Sequence, residues 1–217
     1  MSNTPANNKQ NILIGAASLY IGNVSGILKP AFATASYNTT LASVAWDPNS
    51  TDQTSPACWN NVGYTMNGVT VDYTPTYTDV PVDQLLDAAV IFKQDMKIAV
   101  KTELAEATLY NLMISWGQTA STLTSDASTA QIVVDGGSLG QAPVERSLII
   151  VGNGNYGRLA TDSAYSERVY QKYRVLNVDP STHVLQRNAP TGIPVSFRAL
   201  PASDGTYGTI KDRKKTW

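Results

Sequence analysis

Cysteine and histidine are almost missing from this chain. The single cysteine, Cys58, excludes an internal disulfide framework and any multi-cysteine metal site. The single histidine, His183, excludes a His-rich metal centre. A nucleophilic cysteine wants a histidine base held by a third group, and His183 stands in the turn-like run Pro180-Ser181-Thr182-His183. Charge is scarce as well: 16 Lys and Arg and 17 Asp and Glu make up 15% of 217 residues, against roughly 25% in an average soluble domain. Without a basic excess the chain has little with which to displace counterions from phosphates, which argues against a grip on nucleic acid. No apolar run approaches the ~20 residues of a helical bilayer span, so no membrane span is expected. The opening Met1-Ser2-Asn3-Thr4-Pro5 lacks the positive and apolar regions of a secretory signal, so a cytoplasmically made chain is expected.

What is present is Thr, Ser, Asn, 11 Tyr and 4 Trp, arranged mostly with period two. One domain over 1–217 is expected, with a polar, flexible arm at 1–10, a long early loop at about 22–61 and a basic tail at 205–217. A first strand fits Ile12–Ile21, ended by Gly22. The loop holds Pro30, Pro48 and Pro56 with Phe32, Trp46 and Trp59; disordered segments are poor in aromatics, so it should pack against something. Val62, Tyr64 and Met66 alternate up to Asn67-Gly68, a hairpin turn signal. Beyond it Val69, Val71 and Tyr73 share one face, and Thr70, Asp72, Thr74, Thr76 and Thr78 the other.

A strand fits Met96–Lys101. The period then changes: Ala105, Leu109, Leu112, Met113 and Trp116 form one apolar stripe, which predicts a helix over about 103–116 with Thr102 as N-cap and Gly117 at its exit. A Ser/Thr-rich loop, Gln118–Ala130, leads to strands at Gln131–Asp135, Glu145–Val151, Arg168–Val178 and Ile193–Ala199. About eight short strands and one helix predict a mainly β fold, an antiparallel β-sandwich or barrel with one flanking α-helix.

Few motifs point to chemistry. Gly152-Asn153-Gly154-Asn155-Tyr156-Gly157 imitates a dinucleotide-binding turn after the apolar run Leu148–Val151, with Asp179 at a suitable distance. The segment Arg158–Lys172 has a weak apolar stripe for a covering helix, and Pro180, Pro190, Pro194 and Pro201 interrupt the chain beyond Asp179; a turn between strands is the plainer reading. Asp72, Asp79, Asp83 and Asp87 match no calcium-loop spacing. Charge is sorted along the chain: residues 1–100 carry 4 basic and 7 acidic groups, and residues 161–217 carry 9 and 5. A molecule with an acidic and a basic region can complement a copy of itself head to tail, giving rings or filaments.

The order of elements resembles the tail tube (major tail) proteins of long-tailed bacteriophages. The resemblance is carried by the hairpin around Val62–Thr76, the strand Met96–Lys101 running into Thr102-Glu103-Leu104-Ala105-Glu106-Ala107-Thr108-Leu109-Tyr110-Asn111-Leu112 and Trp116-Gly117, and the near-terminal Ile193-Pro194-Val195-Ser196-Phe197-Arg198-Ala199-Leu200-Pro201. It covers about Val62 to Pro201 and departs at 22–61, which is longer and more aromatic than expected. It implies a tail-tube fold, and a virion protein without catalysis or cofactor, assembled in the host cytoplasm as hexameric rings stacked into a hollow tube for genome delivery. Its implied partners are copies of itself, the tape measure, tail terminator and distal tail proteins, and double-stranded DNA in transient, non-specific passage. Within that expectation Thr70, Asp72, Thr74, Thr76 and Thr78 are candidate lumen-lining residues, since a cationic lining would bind the genome. Phe32, Trp46, Trp59, Lys211, Arg213, Lys214 and Lys215 are candidate inter-ring contacts. The alternatives are a nucleotide-dependent enzyme using Gly152–Gly157 and another virion β-protein, a decoration or tail-terminator subunit.

Overall fold

The computed structural model describes residues 15–26, 41–81, 83, 89–126, 128–153, 166–185, 187 and 191–214, without the side chains of Ser166, Arg213 and Lys214. Among these the strands are β1 (Ser18–Gly22), β2 (Trp59–Asn61), β3 (Thr65–Val80), β4 (Val90–Leu104), β5 (Leu123–Ser125), β6 (Ala130–Ile132), β7 (Arg146–Asn153), β8 (Ser166–Asn177), β9 (Ile193–Leu200) and β10 (Gly208–Lys214). One helix, α1 (Leu109–Ser115), follows β4. The fold is mainly β and antiparallel. Eight strands form one sheet, in the order β2-β1-β7-β8-β9-β4-β3 with β10 joined to β8, and β5 and β6 form a separate pair. The large sheet ends in β2 and β3 and is not closed into a barrel.

Side-chain alternation explains how this sheet makes a core. Along β7, Leu148 and Ile150 face one apolar cluster while Ile149 and Val151 face another, so this central strand is buried on both sides and reads as a continuous apolar run. The larger cluster joins Leu19, Ile21, Leu148 and Ile150 to Val100, Val195 and Phe197. Strands from the two arms of the sheet therefore share one interior, in the manner of a sandwich. Tyr110, Met113 and Ile114 of α1 complete that interior. The second cluster, on the opposite face, holds Tyr20, Leu41, Cys58, Trp59, Val169 and Tyr173.

Three expectations are corrected here. The helix is shorter than 103–116, because Glu103 and Leu104 belong to β4, where they pair with Pro194 and Ile193 of β9. Its N-cap is Thr108, whose Oγ1 accepts from the Asn111 N–H at 3.2 Å, rather than Thr102. Its buried face is Tyr110, Met113 and Ile114, while Trp116 is exposed. Asn67-Gly68 is not a hairpin turn. Both residues have positive φ, 62° and 73°, as such a turn requires, but they form a bulge between the β4-paired residues Met66 and Val69 inside the continuous strand β3. The hairpin is instead β3–β4, closed by the Ala89 N–H donating to Val80 O at 3.0 Å. Finally, much of the expected basic tail, residues 208–214, is a strand paired to β8 along its whole length.

Other strands lie near their expected positions with shifted ends; β1 begins at Ser18, and Ile12, Ile14 and the arm at 1–10 lie outside the described residues. Within the early loop, residues 56–58 form a short 3-10 turn that leads into β2.

The core's energetic weight is testable by urea unfolding. Phe197→Ala, at a site 1% exposed, should cost about 3–5 kcal/mol, whereas Val71→Ala on the exposed part of β3 should stay within about 0.5 kcal/mol. A pH test uses Glu145, whose two carboxylate oxygens accept from Arg174 Nε and Nη2 at 2.7 and 2.6 Å. Those hydrogen bonds hold its carboxyl below the usual range. The contribution is therefore present above the unfolded value of ~4.3 and lost as pH falls through the lower folded one. Because the pair is partly exposed, Glu145→Gln should cost no more than about 1 kcal/mol at pH 7 and nothing measurable near pH 2.

Candidate functional site

The β3–β4 hairpin outruns the sheet that anchors it. On β4 only Ala99–Leu104 pair with β9, so the length from Val90 to Ile98 pairs with β3 alone, opposite Tyr73–Val80. This ribbon is about 23 Å long at ~3.3 Å per residue. It carries Tyr73, Tyr77, Ile91 and Phe92 at 55, 58, 62 and 48% exposure, with Val80 and Val90 exposed beside them. Beyond Met96, which packs on the core, little holds it. Lys93 Nζ donates to Tyr73 Oη at 3.0 Å and lies 5.3 Å from that ring's centre, and Thr78 Oγ1 donates to Gln94 Oε1 at 2.6 Å. The signal was in the sequence: Ala88-Ala89-Val90-Ile91-Phe92 is an apolar run stopped by Lys93.

The candidate lumen-lining residues stand together on β3, and the register shows what faces them. Opposite Thr70, Asp72, Thr74, Thr76 and Thr78 are Lys101, Ala99, Lys97, Asp95 and Phe92, and Arg198 of β9 is opposite Ala99. Lys101 Nζ lies 3.0 Å from Asp72 Oδ2. Asp72 is thus ion-paired with a lysine two residues beyond its register partner, and the face is mixed in charge. The sequence could not give this, because β3–β4 register depends on two bulges.

The candidate inter-ring residues separate. Trp59 is 2% exposed, with its Nε1 donating to Gln53 O at 3.0 Å. Trp46 packs edge-on to Tyr110 with ring centres 4.2 Å apart and donates Nε1–H to Asn23 Oδ1 at 2.9 Å. Trp59 belongs to the chain's own interior, so the expectation that it reaches a neighbour is corrected, whereas Trp46 is partly buried and packs against that interior. Phe32 and Lys215 lie outside the described residues. Lys211, Arg213 and Lys214 sit on β10, a strand whose second edge is unpaired among the described residues. A bidentate pair fixes this strand: Arg168 Nε and Nη2 donate to Asp212 at 2.6 and 2.7 Å, which raises the Arg168 pKa.

At the other end of the sheet, β3, β4, β9 and the segment Asp179-Pro180 line an open cavity of about 380 Å³. Pro180, Pro194 and Val195 supply apolar lining, and Glu103, Asp179 and Lys101 supply charge. Neither Glu103 nor Asp179 joins an ion pair among the described residues; Glu103 Oε2 accepts from Asn67 Nδ2 at 2.9 Å.

The groups considered for chemistry lie apart. Cys58 is fully buried, and burial pushes its thiol pKa up, which disfavours the thiolate. His183 stacks on Trp116 with ring centres 5.9 Å apart. β7 and β8 are antiparallel neighbours, so Gly152–Gly157, of which 154–157 lie outside the described residues, falls between antiparallel strands. A dinucleotide-binding turn needs a parallel β-α-β unit. Among the described residues no three His, Cys, Asp or Glu are placed to hold a metal ion. No family model matches the chain, and no curated protein matches it significantly.

The attachment of β10 can be tested separately. Asp212→Asn should cost about 1 kcal/mol in urea unfolding and speed amide hydrogen exchange at Ile210 and Lys211, leaving β7 amides unchanged.

Proposed function

We propose that this chain is a structural virion subunit that assembles with copies of itself into the stacked rings of a bacteriophage tail tube. One observation carries the reading beyond the sequence resemblance: a two-stranded ribbon extends past the sheet with Tyr73, Tyr77, Val80, Val90, Ile91 and Phe92 uncovered. A two-stranded hairpin is marginal in water by itself and needs further strands or a packing surface. An exposed apolar patch of this kind marks an interaction site. Exposed Tyr and Phe are efficient anchors at interfaces. The low overall charge agrees, since interface cores are depleted in charged residues.

In a tube, ribbons side by side would supply one another's missing strands, and the closed ring would remove the free edge of β3. The Thr-rich face of β3 would line the conduit, with Lys101 compensating Asp72 so that passing DNA meets little net charge. Six copies per ring and the conduit role come from the resemblance. The mainly β fold and the uncovered ribbon are the structural support.

Negative-stain microscopy of concentrated protein tests this, with stacked rings or tubes expected. Ile91→Asp combined with Phe92→Asp should leave urea stability within about 0.5 kcal/mol yet remove every assembly larger than a monomer in sedimentation. Monomers from the unaltered protein under all conditions, or normal tubes from the double variant, would count against the reading.

A further inference from the structure

The cavity at Glu103 and Asp179 and the end of β10 lie at opposite ends of the same sheet, and the residues that follow β10 in the sequence complement the cavity in chemistry. Lys214 ends β10 and pairs with Ser166, the first residue of β8. The cavity-lining Ser196 accepts the N–H of Val178, just past the last residue of β8. About 35 Å of strand separates these two levels, allowing for the bulge in β8. After Lys214 the sequence continues Lys215-Thr216-Trp217. Three residues span at most about 11 Å, so Trp217 cannot enter the cavity of its own chain.

We propose that the cavity receives Trp217 from a second copy of this chain, with Lys214 and Lys215 of that copy against Glu103 and Asp179. This rests on the reading of the chain as a self-stacking subunit and names the contact that joins successive copies. The cavity volume of about 380 Å³ lies in the range of ligand pockets. Its apolar surface from Pro180, Pro194 and Val195 suits an indole, the side chain most favoured at interface hot spots. The rim supplies two carboxylates that join no ion pair among the described residues, while Lys101 is engaged by Asp72. The incoming segment supplies two adjacent ammonium groups, so charges are opposed across the contact. Because donor and socket are different surfaces at opposite ends, the contact is head to tail, the kind that propagates as an open stack when the rotation between copies does not close a ring.

The experiment has two arms. In the first, full-length Trp217→Ala and full-length Thr70→Trp, which fills the cavity mouth from β3, are compared with the parent by sedimentation. Each should raise the concentration needed for polymerisation at least tenfold with an unchanged circular dichroism spectrum. Lys214→Glu with Lys215→Glu should do the same, and adding Glu103→Lys with Asp179→Lys should restore assembly. Polymerisation of Trp217→Ala at the parent concentration overturns the proposal while leaving the tube reading intact. In the second arm, a peptide of residues 212–217 is titrated into full-length Trp217→Ala and followed by NMR. Saturable shifts at Thr70, Lys101 and Ser196, absent for the same peptide with Trp217→Ala, support docking; shifts elsewhere or none overturn it. This arm reads out even if the parent protein never assembles, an outcome that would count against the tube reading instead.

Discussion

Backbone hydrogen bonding and apolar cover must both be satisfied for a strand to be stable, and in this chain the two are satisfied over different lengths. The β9 ladder stops at Ala99 and the interior ends just past it at Ile98 and Met96, so Ala99–Leu104 of β4 have a strand on each side and Val90–Ile98 have only β3. Past that level a ribbon continues with aromatic and branched side chains in the open. Within one copy these residues stay about half exposed, and fully burying such a side chain is worth ~1.5–3 kcal/mol. The discrepancy between where the ladder ends and where the core ends is the physical basis of the proposed self-association.

Charge placement would give the proposed association a direction. The end at which β4 and β8 finish bears Glu103, Glu106 and Asp179, while β10 runs to the opposite end with Lys211, Arg213 and Lys214. This separation along the strands is distinct from the sorting along the sequence, since Glu103 and Glu106 lie between the two charged segments and Asp179 lies within the basic one. Exposed pairs between such ends are screened beyond about 10 Å at 0.1 M salt, so they orient copies more than they hold them. Tight association has to come from apolar contact, which the ribbon and the cavity can supply.

Much of the fold was legible because period two persists wherever one face is buried. Met96, Ile98 and Val100 announced β4, and Ile193, Val195, Phe197 and Ala199 announced β9. The errors occurred where pairing overrode local preference. Asn67-Gly68 has the conformation of a turn but is held as a bulge by β4 on either side. Glu103 and Leu104 suit a helix start, yet the β9 ladder keeps them extended. β10 was missed because Lys211-Asp212-Arg213-Lys214 reads as solvated tail, whereas Asp212 bonds Arg168 across the ladder. For the site, the Thr and Asp face of β3 was readable, but its neutralising Lys101 depends on register. Trp46 and Trp59 look like anchors by residue type, and only three-dimensional packing reveals that the chain uses them itself.

If other copies complete the outer ribbon, as proposed, its protection must change with association. Amide hydrogen exchange at Thr74–Val80 and Val90–Ile98, measured on dispersed and on concentrated protein, reads this out. Fast exchange is expected in the dispersed form, with protection rising by at least a hundredfold on concentration and β7 amides slow in both. Equal protection of the ribbon at every concentration would contradict a shared ribbon.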